Sequence, residues 1–381
     1  MIYLDYNATS PLRSECLEVM LPYLSDHFGN PSSMHLAGQR ARQALDLARH
    51  QVAALINAQP SEIIFTSGGT EANNLALIGS SLTTESPTIA ISRIEHPAVL
   101  KPVDYLVAQH RATRIDVPVD TQGIVDLAKL EESLARGPTL LSIMWANNEI
   151  GSIQPIAEIV RLAQTHRVPF HSDAVQAAGR LLIDVKAIPI DLLSLAAHKL
   201  GGPKGVGALY LRHGRPIRPI HHGGSHERLR RAGTENIPGI VGFGAACAAI
   251  SKSMTPETTR VEALRNRLEA EITRTLPESL IFASRAPRLP NTLNAGFPGC
   301  DAESILMALD LQDIAVSSGA ACSSGNLSVS HVLSAMGVPR DVARSSIRFS
   351  LGFTTTAADI DRTVQVLTES IDKIRRIKRG D

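Results

Sequence analysis

The chain has 381 residues, 44% of them hydrophobic and 20% charged, which is apolar material enough for more than one core without covalent staples. Lysine plus arginine (38) balance aspartate plus glutamate (37), so no net field favours nucleic acid or an anionic membrane, and a small molecule is the expected ligand. The start "MIYLDYNATSP" has neither a basic leader nor a signal-peptide core, and no apolar run approaches the roughly 18 residues that span a bilayer, so a cytoplasmic protein is expected.

In chain order, short β-rich runs alternate with helical patterns between about residues 60 and 210. "EIIFTS" leads to "TEANNLALIGS", "TIAIS" to "HPAVLKPVDYLVAQH", "LLSIMWA" to "IAEIVRLAQTH", and "VPFHSDA" to "LLSLAA". This rhythm predicts a largely parallel sheet covered by helices on both faces, with ligands beyond the carboxyl ends of the strands. After about residue 250, Val261, Leu264, Leu268, Ile272 and Leu276 mark a long amphipathic helix, and Ile360, Val364, Leu367, Ile371 and Ile374 mark a closing one. The expected organisation is a large ligand-binding domain over residues 12–250. A smaller α+β domain over 251–381 takes residues 1–11 with it. The basic end "KIRRIKRG" reads as a solvated tail.

The stretch "TSGGTEANN" follows a strand and opens a helix; its glycines allow close approach and its free backbone N–H groups suit a phosphate, although a plain strand-to-helix turn has the same appearance. Asp173 in "HSDAVQAAG" ends a β-run, placed either to cap a helix or to pair with a ligand cation. Lys199, in "LLSLAAHKLGGPKG", stands where an apolar strand meets a glycine-rich turn, where a partly desolvated amine suits a Schiff base with an aldehyde cofactor. Phosphate turn, carboxylate and strand-end lysine together are what pyridoxal 5'-phosphate requires.

The four cysteines, Cys16, Cys247, Cys300 and Cys322, are scattered without a C-x-x-C pair, against a disulfide framework or a zinc ribbon. Cys16 and Cys247 sit in helical contexts and read as small buried residues. Cys322, in "SSGAACSSG", is surrounded by small residues that suit a loop able to swing a thiol into a site.

In the blocks "YLDYNATSP", "FGNPSSMH", "TSGGTEANN", "IEHPAVL", "ANNEIGSIQPI", "HSDAVQAAG", "AAHKLGGPKG", "RRAGTEN", "SSGAACSSG" and "SSIRFSLG", the chain resembles the cysteine desulfurases of the NifS/IscS type. These are class-V, pyridoxal-phosphate-dependent enzymes of fold type I, the aspartate-aminotransferase-like fold. The resemblance implies an L-cysteine substrate, an alanine product and a persulfide on Cys322 that supplies iron–sulfur cluster or other thio-cofactor assembly. It implies that Lys199 binds the cofactor covalently and moves protons, and that His96 lies over the ring and assists. Asp173 is expected to pair with the ring nitrogen, and Asn148 and Gln176 with the ring hydroxyl. The backbone at Gly69, with Thr70 and His198, is expected to hold the phosphate, joined by Thr234 from the partner of a homodimer. Arg348 is expected to clamp the substrate carboxylate with its two-pronged guanidinium, and Asn148 to contact the substrate as well. No intrinsic metal site is implied; the one metal contact is a transient cluster ligand at Cys322 through its persulfide.

Two features set limits. Relatives in that family commonly carry a serine two residues before the histidine–lysine pair, and here that position is Ala196, one phosphate contact fewer. Several housekeeping relatives dock a scaffold protein through an extension beyond the last helix, so the sulfur acceptor is left open. Other readings are a selenocysteine lyase or another lyase or aminotransferase on this fold, and, from a different class, a non-catalytic cofactor-binding assembly partner. The runs "RLRRAG" and "HHGGSH" lack the interleaved aromatics of a nucleic-acid surface and the carboxylate or cysteine partners of a metal cluster.

Overall fold

The structure is a computed structural model that describes residues 1–318 and 329–379; Cys322 lies outside them. Strand β1 (Ile2–Tyr3) precedes helices α1 (Ser14–Leu24) and α2 (Leu36–Leu55). Strand and helix then alternate as β2 (Ile63–Thr66), α3 (Gly69–Ser81), β3 (Thr88–Ser92), α4 (Pro97–Ala108), β4 (Thr113–Val117), α5 (Leu127–Leu134), β5 (Leu140–Ser142), α6 (Ile156–Thr165) and β6 (Phe170–Asp173). Strands β7 (Leu192–Ala196) and β8 (Gly207–Leu211) follow without an α-helix between them.

These strands form one sheet in the order β2-β8-β7-β6-β5-β3-β4, parallel except at β8, which runs antiparallel to both neighbours. The alternation of strands with helical segments does not reveal "GALYL" as a strand. Its direction has a simple cause: the chain between Ala196 and Gly207 is too short for the dozen or more residues of a parallel crossover. Successive strand residues face opposite layers. Ile63, Phe65, Ala90, Leu141 and Leu193 join a core with α2, α6 and the start of α7 (Ile237–Thr275). Ile64, Ile89, Ile91, Leu140 and Leu192 pack beneath α3 and α4. Both faces are therefore covered, and every parallel strand delivers its carboxyl end to one edge.

Helix α7 starts well before the amphipathic pattern at Val261. Its first half, with Phe243 and Cys247, belongs to the core of the large sheet, whereas Val261, Leu268 and Ile272 enter a second core. The expected division after residue 250 falls inside this continuous helix. Helix α7 also corrects the reading of apolar runs, because an 18-residue window in it reaches a mean hydropathy of 1.3. That apolarity is spent on packing: Ile237, Ile240, Phe243 and Ile250 are buried among the residues of the first core.

The second core gathers β9 (Leu280–Ile281), β10 (Thr292–Gly296), α8 (Ala302–Asp310), β11 (Ile314–Ala315), β12 (Ser346–Ser350) and α11 (Ala357–Arg379), with the short helices α9 (His331–Ala335) and α10 (Arg340–Ala343) at its border. Strands β12, β10 and β9 make an antiparallel sheet, and β1 pairs with β11, so the chain start is built into this unit. The basic end is not a solvated tail: it continues α11, where Arg375 and Lys378 pair with Glu278 and Asp301.

Candidate active site

A cavity of about 330 Å³ opens beyond the carboxyl ends of β2, β5, β6 and β7. Its walls bring together Gly69, Thr70, His96, Asn148, Asp173, Gln176, His198, Lys199 and Arg348, residues spread over most of the chain. Two expected residues are not among them. Thr234 lines a separate cleft with Thr66, Ser67, Gly205 and Arg231, and Cys322 lies outside the described residues.

The anion end of the cavity is the start of α3. No side chain caps this helix, so the first-turn N–H groups are left for a ligand. Glycine at position 69 is required there, because a Cβ would lie 2.8 Å from Val175 Cγ2. The same Cβ would stand 3.4 Å from the methyl of Ala196, which places Ala196 beside the helix start. Gly207 makes the complementary approach: a Cβ on it would meet the backbone of Gly68 at 2.6 Å.

Lys199 follows β7 on a short 3-10 turn, Ala197–Lys199. Its Nζ donates to the carbonyl oxygens of Asn7 and, at 2.6 Å, Ala8. Asn7 is itself fixed from all sides. Its Nδ2 donates to Thr292 Oγ1 and the Asn148 carbonyl, its Oδ1 accepts from Asn291, and its carbonyl also accepts from Gln176 Nε2 at 3.0 Å. The chain start thus ties the lysine to both cores, a role that quoting "YLDYNATSP" as a block did not assign to any residue.

His96 caps α4 through Nδ1, which accepts the N–H of Ala98 at 3.0 Å; the neutral ring therefore carries its proton on Nε2. Burial lowers its pKa, opposed by the Asp173 charge and reinforced by Lys199. His198 is pushed down to about 4, first by burial and then by Lys199, Lys204 and Arg180, and its Nδ1 meets Thr9 Oγ1 at 3.2 Å. Both imidazoles are neutral near pH 7.

Asp173, at the end of β6, accepts from Asn73 Nδ2 at 2.6 Å and from the Val175 N–H at 3.0 Å. Arg348, on β12, is 3% exposed; Nη1 donates to the Asn148 carbonyl and Nη2 to Asp5 Oδ1. Its Nε is buried without a hydrogen-bond partner. The backbone of Arg348 exchanges hydrogen bonds with Ser317, so the block that carries Cys322 begins beside the arginine. Asp5, Asn7 and Asn73 escaped the sequence reading because each acts through partners far away in the chain.

The family model for class-V aminotransferases matches residues 2–363. The chain belongs to the class-V aminotransferases. Within that family it is similar to the cysteine desulfurase IscS of Dictyoglomus turgidum, 46% identical over 379 residues, which are 99% of this chain and 96% of the relative. Among solved structures it is similar to a NifS-like protein from Rickettsia africae, at 36% identity and TM-score 0.89 over 98% of this chain and 99% of that one. It is also similar to SspA in complex with cysteine, at 34% identity and TM-score 0.82, covering 93% of this chain and all of that one. The chain is a cysteine desulfurase of the NifS/IscS type on fold type I, and it is pyridoxal-phosphate-dependent.

The cavity of this class-V aminotransferase fits that cofactor. An uncapped helix start offers donors to a phosphate, Asp173 offers a carboxylate to a cationic ring nitrogen, and Lys199 offers a primary amine.

Proposed function

We propose that the enzyme removes sulfur from L-cysteine at this cavity and transfers it to the thiol of Cys322, leaving L-alanine. The observation that carries this reading is the meeting of Lys199, Asp173, the α3 start and Arg348 in one cavity at the strand ends. Gly69, Thr70 and His198 would hold the cofactor phosphate, Asn148 and Gln176 its hydroxyl, and Asp173 its ring nitrogen. The bound cofactor supplies an electron sink that makes the substrate's α- and β-bonds labile.

The protein's own groups do the rest. Arg348, buried in the cavity wall, binds the substrate carboxylate, and burial strengthens a contact between charges. Lys199 Nζ moves the α-proton. His96 carries its proton at Nε2 in the cavity wall, where it would assist the proton transfers. The carbon–sulfur bond breaks as the Cys322 thiolate takes the sulfur; the bonding electron pair stays on carbon, which gains a proton, and the thiol becomes a persulfide. Cys16, Cys247 and Cys300 are buried, and burial pushes their thiols up, to about 11 for Cys16, which makes them poor nucleophiles.

We take the working unit to be a homodimer in which Thr234 completes the neighbour's phosphate site. Supporting this, Thr234 lines a separate cleft and not this cavity, and Phe28 (83%), Met34 (90%), Leu36 (74%) and Leu229 (69%) are exposed apolar side chains that a second copy would cover. We propose cytoplasmic persulfide delivery to a protein acceptor of iron–sulfur or thio-cofactor assembly, in keeping with the unpaired thiols of Cys16, Cys247 and Cys300.

The test is an assay of alanine and sulfide from L-cysteine, with and without reductant, for the wild type and Cys322→Ser. The wild type releases both products, with sulfide dependent on reductant, and the variant binds cysteine without forming persulfide. Normal sulfide release by Cys322→Ser favours a lyase acting without an enzyme thiol. No turnover by the cofactor-loaded wild type favours a non-catalytic partner.

A further inference from the structure

We propose that Asn73 is a positioning residue for Asp173, holding its carboxylate oriented for the ring nitrogen of the cofactor; this rests on the reading of Asp173 given above. Asn73 lies on the first turns of α3, is 1% exposed and forms part of the cavity wall. Its Nδ2 reaches across to β6 and donates to Asp173 Oδ2 at 2.6 Å. The Val175 N–H donates to Oδ1 at 3.0 Å, so each carboxylate oxygen receives one donor.

The orientation of the amide follows from charge. Turned the other way, Oδ1 of Asn73 would face a carboxylate oxygen at 2.6 Å, two acceptors in contact. Held as it is, Oδ1 is buried without a partner. A lost hydrogen bond at Oδ1 is accepted so that the N–H can serve Asp173. Side chains that only fill space between a helix and a strand do not carry such a cost.

The consequence is electrostatic. Donors on both oxygens fix the plane of the carboxylate, and a carboxylate held against a ring nitrogen favours that nitrogen's protonated form. The charge of Asp173 also reaches Glu95, where it adds to the upward push of burial, and His96, where it opposes the downward push of burial. One amide on the phosphate-binding helix therefore couples the two ends of the cofactor site: α3 meets the phosphate at its first residues and the ring's counter-ion one turn later.

The experiment titrates the apo forms of wild type, Asn73→Ala, Asn73→Asp and Asp173→Ala with pyridoxal phosphate. It records affinity, melting temperature and the pH midpoint of the bound cofactor's visible absorption, without substrate. Asn73→Ala should bind about tenfold more weakly, because a hydrogen bond to a charged group is lost. Its midpoint should move upward, since a less firmly protonated ring withdraws less charge from the lysine linkage. Asn73→Asp, nearly the same shape, should move it further, because two carboxylates in contact share a proton. A lowered melting temperature with unchanged midpoints in both Asn73 variants would overturn the proposal and leave Asn73 a packing residue. Should Asp173→Ala itself retain wild-type affinity and midpoint, the role of Asp173 fails first. A change in Asp173→Ala without one in either Asn73 variant removes the positioning role alone.

Discussion

Asp5 Oδ1 accepts a hydrogen bond from Arg348 Nη2 at 2.6 Å, binding the chain start to the centre of β12 across nearly the whole sequence. The ion pair holds the guanidinium in place, but it also puts a carboxylate close to where a second carboxylate must bind. Asp5→Asn keeps an oxygen acceptor and removes the charge. The KM for L-cysteine is expected to fall about fivefold, the size of a screened repulsion across several ångströms, with little change in kcat. Steady-state kinetics decide: a rise in KM would mean that Asp5 chiefly holds Arg348 in place through its charge.

Lys199 Nζ donates to the carbonyls of Asn7 and Ala8, contacts that fix the position of the amine. Borohydride treatment of the loaded wild type should attach reduced cofactor to the peptide that contains Lys199, and Lys199→Ala should lose both the adduct and turnover. An adduct on another peptide defeats the assignment.

Ala196 stands beside the start of α3 on the cavity wall. Ala196→Ser adds one hydroxyl there, and an added hydrogen bond to a charged phosphate should slow cofactor dissociation by about tenfold. Single-turnover persulfide formation should not change. Unaltered retention would show that existing donors already satisfy the phosphate; a changed chemical step would put Ala196 on the wrong side of the cofactor.

Glu95 and Glu149 are buried carboxyls pushed up to about 8 and about 7, chiefly by burial. Ser92 Oγ and the Met144 N–H both donate to Glu95 Oε1. A folded-state pKa raised above the unfolded value gives stability that is complete below about pH 4.5 and lost as pH rises through about 8. Glu95→Gln keeps an oxygen for the two donors and cannot ionise. Relative to wild type, its melting temperature should be about 3 °C or more higher at pH 9 than at pH 5. A pH-independent difference between the two proteins would mean that Glu95 does not titrate in this range.

Much of the site was legible in local patterns. The strand–turn–helix at Thr66–Thr70, the acid ending β6 and the lysine after β7 are each signalled by a β-rich run meeting glycine or a polar residue, and such signals need only neighbours in sequence. Strand β8 was not legible, because its pattern gives no direction; the short connection after β7 decides that it turns back. The start of α7 was missed because Ile237 to Ile250 are apolar on several sides, which blurs helical periodicity in a buried segment.

From the sequence alone came the fold class and the family, and the segments that carry Lys199 and Asp173 to the cavity, because residue order and short-range spacing carry them. Tertiary structure decided which groups hold those residues in place. Asn73 meets Asp173, Asn7 receives Lys199 and Gln176, and Asp5 pairs with Arg348 only because the large sheet and the second core bring distant segments together. Hydrogen bonds and ion pairs require contact within about 3 Å, and a linear pattern does not report contact between residues a hundred or more positions apart.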